Sequence, residues 1–219
     1  MREVAEALAA AGFDVELPRL RGHGTTVEEM ITTRWADWSS DADAAYTTLA
    51  SRCKKVVVVG LSMGGALTLW LAAEHPEIVG IVCINPAAQP VGDEMIASIQ
   101  SMIDGGMETF DSIGSDIADP DVKESSYDAT PLRPALSMLT EGVAPLAARY
   151  PKIKTPMLLI NSVNDHVVDP NQGTFLAENY GGFVERVMLE RSFHVATQDV
   201  EKHIVNAKTL EFAKRVTQL

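Results

Sequence analysis

Val56-Val57-Val58-Val59-Gly60-Leu61-Ser62-Met63-Gly64-Gly65 is the stretch whose reading decides the fold. Four consecutive valines suit a strand buried on both faces, and residues 66–73 continue with helix-forming, mostly apolar residues. A strand that turns into a helix through Gly-x-Ser-x-Gly forms a nucleophile elbow. Small residues at Gly60 and Gly64 are expected to let strand and helix approach, and Gly65 to give room to the first helical turn. Ser62 Oγ is then pushed out at the carboxyl end of the sheet. That placement points to attack by an activated hydroxyl on an acyl carbon.

A serine hydroxyl attacks near neutral pH only if a base takes its proton, usually an imidazole held by a carboxylate. On elbows of this type the partners follow in the order serine, acid, histidine. Asp165 lies in Ser162-Val163-Asn164-Asp165-His166, after a predicted strand over residues 156–160. His194 lies in Ser192-Phe193-His194-Val195, after a predicted strand over residues 184–189. Both loops leave carboxyl ends of strands, the edge where open α/β sheets place their sites. Other candidates have structural readings. Asp169 before Pro170 and Asp199 before the last helix read as helix caps. His75 reads as a partner for a helix C-terminus, and His203 as a surface residue. His166, beside Asp165 in sequence, points away from a bridge to Ser62. His23 sits in a glycine turn and reads either as a pocket residue or as a structural hydrogen-bonding group.

The remaining pattern alternates helices with short apolar strands, as in a parallel sheet covered on both faces. Residues 13–17 alternate as a strand ending at Pro18, and residues 79–84 form another. From residue 89 to 154 the rhythm changes. An amphipathic helix carrying Met95, Ile96, Ile99, Met102 and Ile103 is followed by an acidic loop over 111–128 and a helical segment over 133–149. The chain therefore divides into a core (1–88 and 155–219) and an inserted helical cap (89–154). Met95, Met102, Met107 and Met138 read as cap lining or as simple core. Ile204, Ala207, Leu210 and Phe212 mark the packed face of the terminal helix.

The elbow, the Asn164-Asp165 loop and Ser192-Phe193-His194-Val195 resemble the α/β-hydrolase superfamily, and within it bacterial carboxylesterases and monoacylglycerol lipases with a small helical cap. Leu17-Pro18-Arg19-Leu20-Arg21-Gly22-His23-Gly24 is similar to a segment of theirs. The resemblance covers nearly the whole chain. It implies Ser62 as nucleophile, Asp165 as acid, His194 as base and the Met63 N–H as an oxyanion-hole donor. It also implies hydrolysis of short-chain esters or monoacylglycerols through an acyl-enzyme, with neither metal nor organic cofactor. Thioester, carbon–carbon and peracid chemistry on the same fold are the alternatives within enzymes; a non-catalytic binding module is the alternative outside them. A serine at the elbow, where dehalogenases and epoxide hydrolases carry aspartate, argues against those two activities.

The sequence departs from these relatives at its start. They have further strands before the first helix, one of them leading into a His-Gly-containing loop that donates a second oxyanion N–H. In their strand order that strand lies between residues 13–17 and 56–59. The expectation is a fragment of a longer protein with a gap in mid-sheet; the alternative is that the flanking strands close up and pair. Loss of one oxyanion donor is expected to slow turnover by ~10²–10³.

Composition sets the outer bounds. At 219 residues the chain fits one core, and acidic residues exceed basic ones by 30 to 18, a net charge of −12. That charge disfavours nucleic acid and anionic lipid surfaces, leaving a small-molecule ester as the expected partner. No apolar run reaches the ~20 residues of a membrane-spanning helix. Cys53 and Cys83 offer neither a disulfide framework nor metal-ligand spacing, and a buried, reduced Cys83 points to the cytoplasm. Oligomeric state is not written in the composition.

Overall fold

The computed structural model describes residues 1–112 and 114–218. Helix α1 (Arg2–Ala10) is followed by α2 (Val27–Thr32) and α3 (Trp35–Ala50). Strand β1 (Val57–Leu61) runs into α4 (Met63–Glu74), and β2 (Gly80–Ile84) follows. The insertion holds α5 (Asp93–Asp104), β3 (Thr109–Asp111), β4 (Ala129–Pro131), α6 (Leu132–Ser137), a π-helical turn at Met138–Val143 and α7 (Ala144–Ala147). The chain then returns through β5 (Met157–Ser162), α8 (Asn171–Asn179), β6 (Val184–Leu189) and α9 (Lys202–Thr217).

The main sheet has the order β1-β2-β5-β6, and every pair is parallel. Alternation along the strands supplies two apolar layers. Ile81, Cys83, Met157 and Leu159 face one side and pack with Trp35, Trp38 and Tyr46 of α3 and Leu67, Leu69 and Leu71 of α4. Val82, Ile84, Leu158 and Ile160 face the other and pack with Val4 of α1 and Val205 and Phe212 of α9. Burial pushes the Cys83 thiol pKa well up, as expected of an inert core cysteine.

Several expectations are corrected. Residues 13–17 belong to no strand, because they find no partner. They face β1 across a groove of about 410 Å³ lined also by Val4 and Leu8 of α1. The flanking segments therefore do not close up, and among the described residues β1 has a neighbour on its β2 side only. Of the face expected on α9, Phe212 is buried and Ile204 packs against the core, whereas Ala207 is exposed; Val205, Thr209, Ala213 and Thr217 complete the buried face. The insertion contains a short antiparallel β3–β4 ribbon separate from the main sheet. Met95, Met102 and Met107 are exposed, so they are neither cap lining nor core. No helix among the described residues is long and apolar enough to cross a membrane.

Candidate active site

Ser62 stands between β1 and α4 with φ 58° and ψ −120°, a region that side chains enter only under strain of about 1–3 kcal/mol. The turn is pinned from several sides. Ser62 N–H donates to the Ile84 carbonyl at 3.0 Å, and the Ser62 carbonyl accepts from Gly65, Ala66 and Ala87. A Cβ on Gly60 would lie 2.0 Å from the Gly64 carbonyl oxygen and 2.5 Å from Thr68 Oγ1, and one on Gly65 2.6 Å from Pro86 Cβ. Gly64 differs from the expectation: a Cβ there would meet nothing within 4 Å. Its backbone, rather than a missing side chain, makes the close approach to Gly60. Met63 is the first residue of α4, so its N–H has no intrahelical acceptor and is free to bind an anion.

On the same carboxyl edge, after β5 and β6, His194 Nδ1 and Asp165 Oδ2 are 2.8 Å apart, with both side chains buried. Asp165 Oδ1 accepts from Val167 N–H at 2.9 Å and Val168 N–H at 2.8 Å, which fixes the carboxylate plane. A buried imidazole with its Nδ1 committed to a carboxylate presents Nε2 for proton transfer. The structure thus joins Asp165 to His194 directly. Among the described residues Ser62 Oγ makes no hydrogen bond. Catalytic hydrogen bonds are often long without substrate and tighten in the reacting complex.

The connection between the Ser62 turn and the Asp165–His194 pair runs through Asn85, which sequence reading treated only as the close of a strand. Leu61 pairs with Ile84 in register, so Asn85 follows β2 beside Ser62. Asn85 is buried at φ 42°. Its Nδ2 donates to the His194 carbonyl at 2.8 Å and to Ser162 Oγ at 3.0 Å, while its Oδ1 accepts from Ser162 N–H at 2.7 Å. Asp199 is corrected likewise. It does not cap α9, whose N-cap is Glu201; its carboxylate accepts from Phe193 N–H at 2.7 Å and from Ala118 and Asp119 N–H in the insertion. Glu201 accepts from Arg191 and Ser192 N–H. Burial alone would raise the Glu201 carboxyl, but these hydrogen bonds outweigh it and hold its pKa below the usual range. Two acids on the α9 side therefore brace the histidine loop.

The other candidates find structural roles, although the N-cap of α8 is Pro170 rather than the expected Asp169. Asp169 Oδ1 accepts from Asn171 N–H at the start of α8, and His203 is exposed. His75 pairs with Asp43 at 2.6 Å. His166 turns away to Asp116, at 2.7 Å. Both readings of His23 hold. It lines a cleft of about 590 Å³ with Trp38, Met63, Glu124, Tyr127 and Met138, and its Nδ1 lies 3.3 Å from the Arg21 carbonyl. Burial lowers the His23 pKa, whereas burial raises that of the Glu124 carboxyl. Asn85 and Asp116 were missed because no local pattern marks them; each reaches the histidine loop only through the fold.

Comparison with known proteins follows the same lines. The sequence model of the alpha/beta hydrolase family matches residues 1–200. A thermostable monoacylglycerol lipase of Bacillus sp. (strain H-257) is 41% identical over 216 residues, covering 97% of this chain and 84% of that protein. A solved structure from work on LipS and LipT, two metagenome-derived lipolytic enzymes, superposes with a TM-score of 0.91 at 39% identity, over 98% of this chain and 87% of the other. Paleococcus ferrophilus monoacylglycerol lipase shares the fold at 18% identity and a TM-score of 0.75, over 98% of this chain and 88% of that one.

Proposed function

This chain belongs to the alpha/beta hydrolase family, and from that premise we propose a carboxylic ester hydrolase in which Ser62 is the nucleophile, His194 the base and Asp165 its partner. The observation that carries the reading is the strained Ser62 turn on the same sheet edge as a buried Asp165–His194 pair. His194 Nε2 takes the hydroxyl proton as Oγ attacks the ester carbonyl. The Met63 N–H stabilises the oxyanion. Collapse expels the alcohol, which receives the proton from His194, and leaves an acyl-Ser62. Water, deprotonated by His194, then attacks the acyl carbon, releasing the acid and restoring the hydroxyl.

The proposed substrates are monoacylglycerols and related single-chain esters. The similarity to a monoacylglycerol lipase supports this, as does a 590 Å³ cleft walled by Met30, Met63, Trp38, Pro134 and Met138, within the range of small-ligand pockets. Residues 89–154 serve as its cap. The test is a substrate series: monoacylglycerols and p-nitrophenyl esters of graded chain length, beside di- and triacylglycerols. Hydrolysis of the single-chain esters, lost in Ser62→Ala, is expected. Preference for triacylglycerols, or for acetyl esters over every longer chain, would refute the substrate assignment.

A further inference from the structure

We propose that Asp116, carried by the insertion between β3 and β4, is a positioning residue for His194 and makes the productive placement of the imidazole depend on the docking of that insertion. The proposal rests on the assignment of Ser62, Asp165 and His194 above. Asp116 is buried, with its side chain 8% exposed. Its Oδ2 accepts from His194 N–H at 3.0 Å and from His166 N–H at 3.1 Å. Its Oδ1 lies 2.7 Å from His166 Nδ1, and its carbonyl accepts from Val195 N–H at 3.1 Å. One residue of the insertion thus grips both the loop of the base and the residue after the acid.

The grip matters because His194 lies outside any helix or strand. Both of its main-chain groups are held by side chains: the N–H by Asp116 and the carbonyl by Asn85. Phe193 N–H is likewise held by Asp199, which also ties down Ala118 and Asp119 of the same insertion. Burial by itself would raise the Asp116 carboxyl, but the hydrogen bonds from His166 and His194 prevail and hold it below the usual carboxylate range. The acceptor is accordingly ionised when the enzyme works. Removing it strands the buried N–H of His194 and frees the half-buried N–H of His166, and the loop must shift to hydrate the former. A displacement of about 1 Å at a reacting group can slow a reaction ~100-fold. Asp116 does not line the 590 Å³ cleft. The loss therefore falls on kcat and leaves substrate binding nearly unchanged.

The test compares wild type, Asp116→Ala and Asp116→Asn on one soluble p-nitrophenyl ester, with the downfield proton resonance of His194 Nδ1–H followed by NMR. For Asp116→Ala we expect kcat to fall about 10–100-fold with KM within about threefold, and the resonance to broaden or vanish. Asp116→Asn keeps one oxygen acceptor and should recover a large part of both. A folded Asp116→Ala with wild-type kcat and an unchanged resonance overturns the proposal. So does a rise in KM at constant kcat, which would make Asp116 a cleft residue. If the alanine variant does not fold, the asparagine variant decides: lower kcat with a shifted resonance supports the proposal, and lower kcat with an unmoved resonance refutes it. A folded wild type without Ser62-dependent hydrolysis would instead fell the underlying assignment, and this inference with it.

Discussion

Ser62 holds a backbone conformation that a serine on its own would leave, and its neighbours keep it there. Gly60 and Gly65 let β1 and α4 come together at distances where a methyl group would collide with backbone or with Pro86. Gly60→Ala should destabilise the protein by at least about 2–3 kcal/mol, or prevent folding, whereas Gly64→Ala should stay within about 1 kcal/mol of wild type. Urea unfolding of the two variants checks this contrast directly. A wild-type midpoint for Gly60→Ala would contradict the packing of the elbow. At this scale the strained Ser62 turn and the Asp165–His194 pair were legible because local sequence and strand ends mark them. Asn85 and Asp116 were not. They act on His194 from 109 and 78 residues away, through contacts that exist only after the layers assemble.

The histidine loop and the edge of β1 decide behaviour at the level of elements. The Asp199 carboxylate receives N–H groups from Ala118, Asp119, Phe193 and Val200, so one side chain joins α9's approach, the insertion and the histidine loop. Asp199→Ala should cost about 2–4 kcal/mol by leaving several of these donors without an acceptor. Chemical denaturation measures it, and a loss below about 0.5 kcal/mol would show the loop to be held otherwise. Flanking β1, the Val56 carbonyl and the Ser62 N–H bond toward β2, so alternation turns the N–H groups of Val57, Val59 and Leu61 away from β2. Hydrogen exchange should find those amides exchanging well ahead of Ile81, Val82 and Cys83 in β2. Equal protection would mean that β1 is not an open edge. The same edge explains why residues 13–17 read as a strand without being one: alternation records a wish to pair, and pairing needs a neighbour. The buried face of α9 was read only in part, through Ile204 and Phe212, because Thr209 joins the packed face despite its hydroxyl.

Across the whole molecule, two buried acids link stability to pH. Asp116 and Glu201 each have a folded pKa below the ordinary value of that carboxyl. Their stabilisation is fully present above that value and is lost as pH falls through the depressed folded values. Tm should therefore decline on acidification from about pH 4 downward, and Asp116→Asn should make that decline shallower. An unchanged acid limb in the variant would show that Asp116 carries no such linkage. The parallel sheet and its two layers were readable from hydrophobic rhythm because β2 and β5 are buried along their whole length. Strand β1, expected to be buried on both faces, is only partly so, and β6 buries Leu189 alone. The β3–β4 ribbon was not readable, since three residues per strand leave no period to detect. The exposed Met95, Met102 and Met107 mark the same limit: spacing reveals a helix but not which neighbour, if any, covers it.

The central claim is that Ser62 is a hydroxyl activated by His194. Intact-mass analysis after exposure to a fluorophosphonate, with peptide mapping of the adduct, addresses it most directly. One equivalent is expected on Ser62 in the wild type, none in Ser62→Ala, and slow incorporation in His194→Ala. Undiminished labelling in Ser62→Ala, or no labelling of folded wild-type protein, would contradict the account.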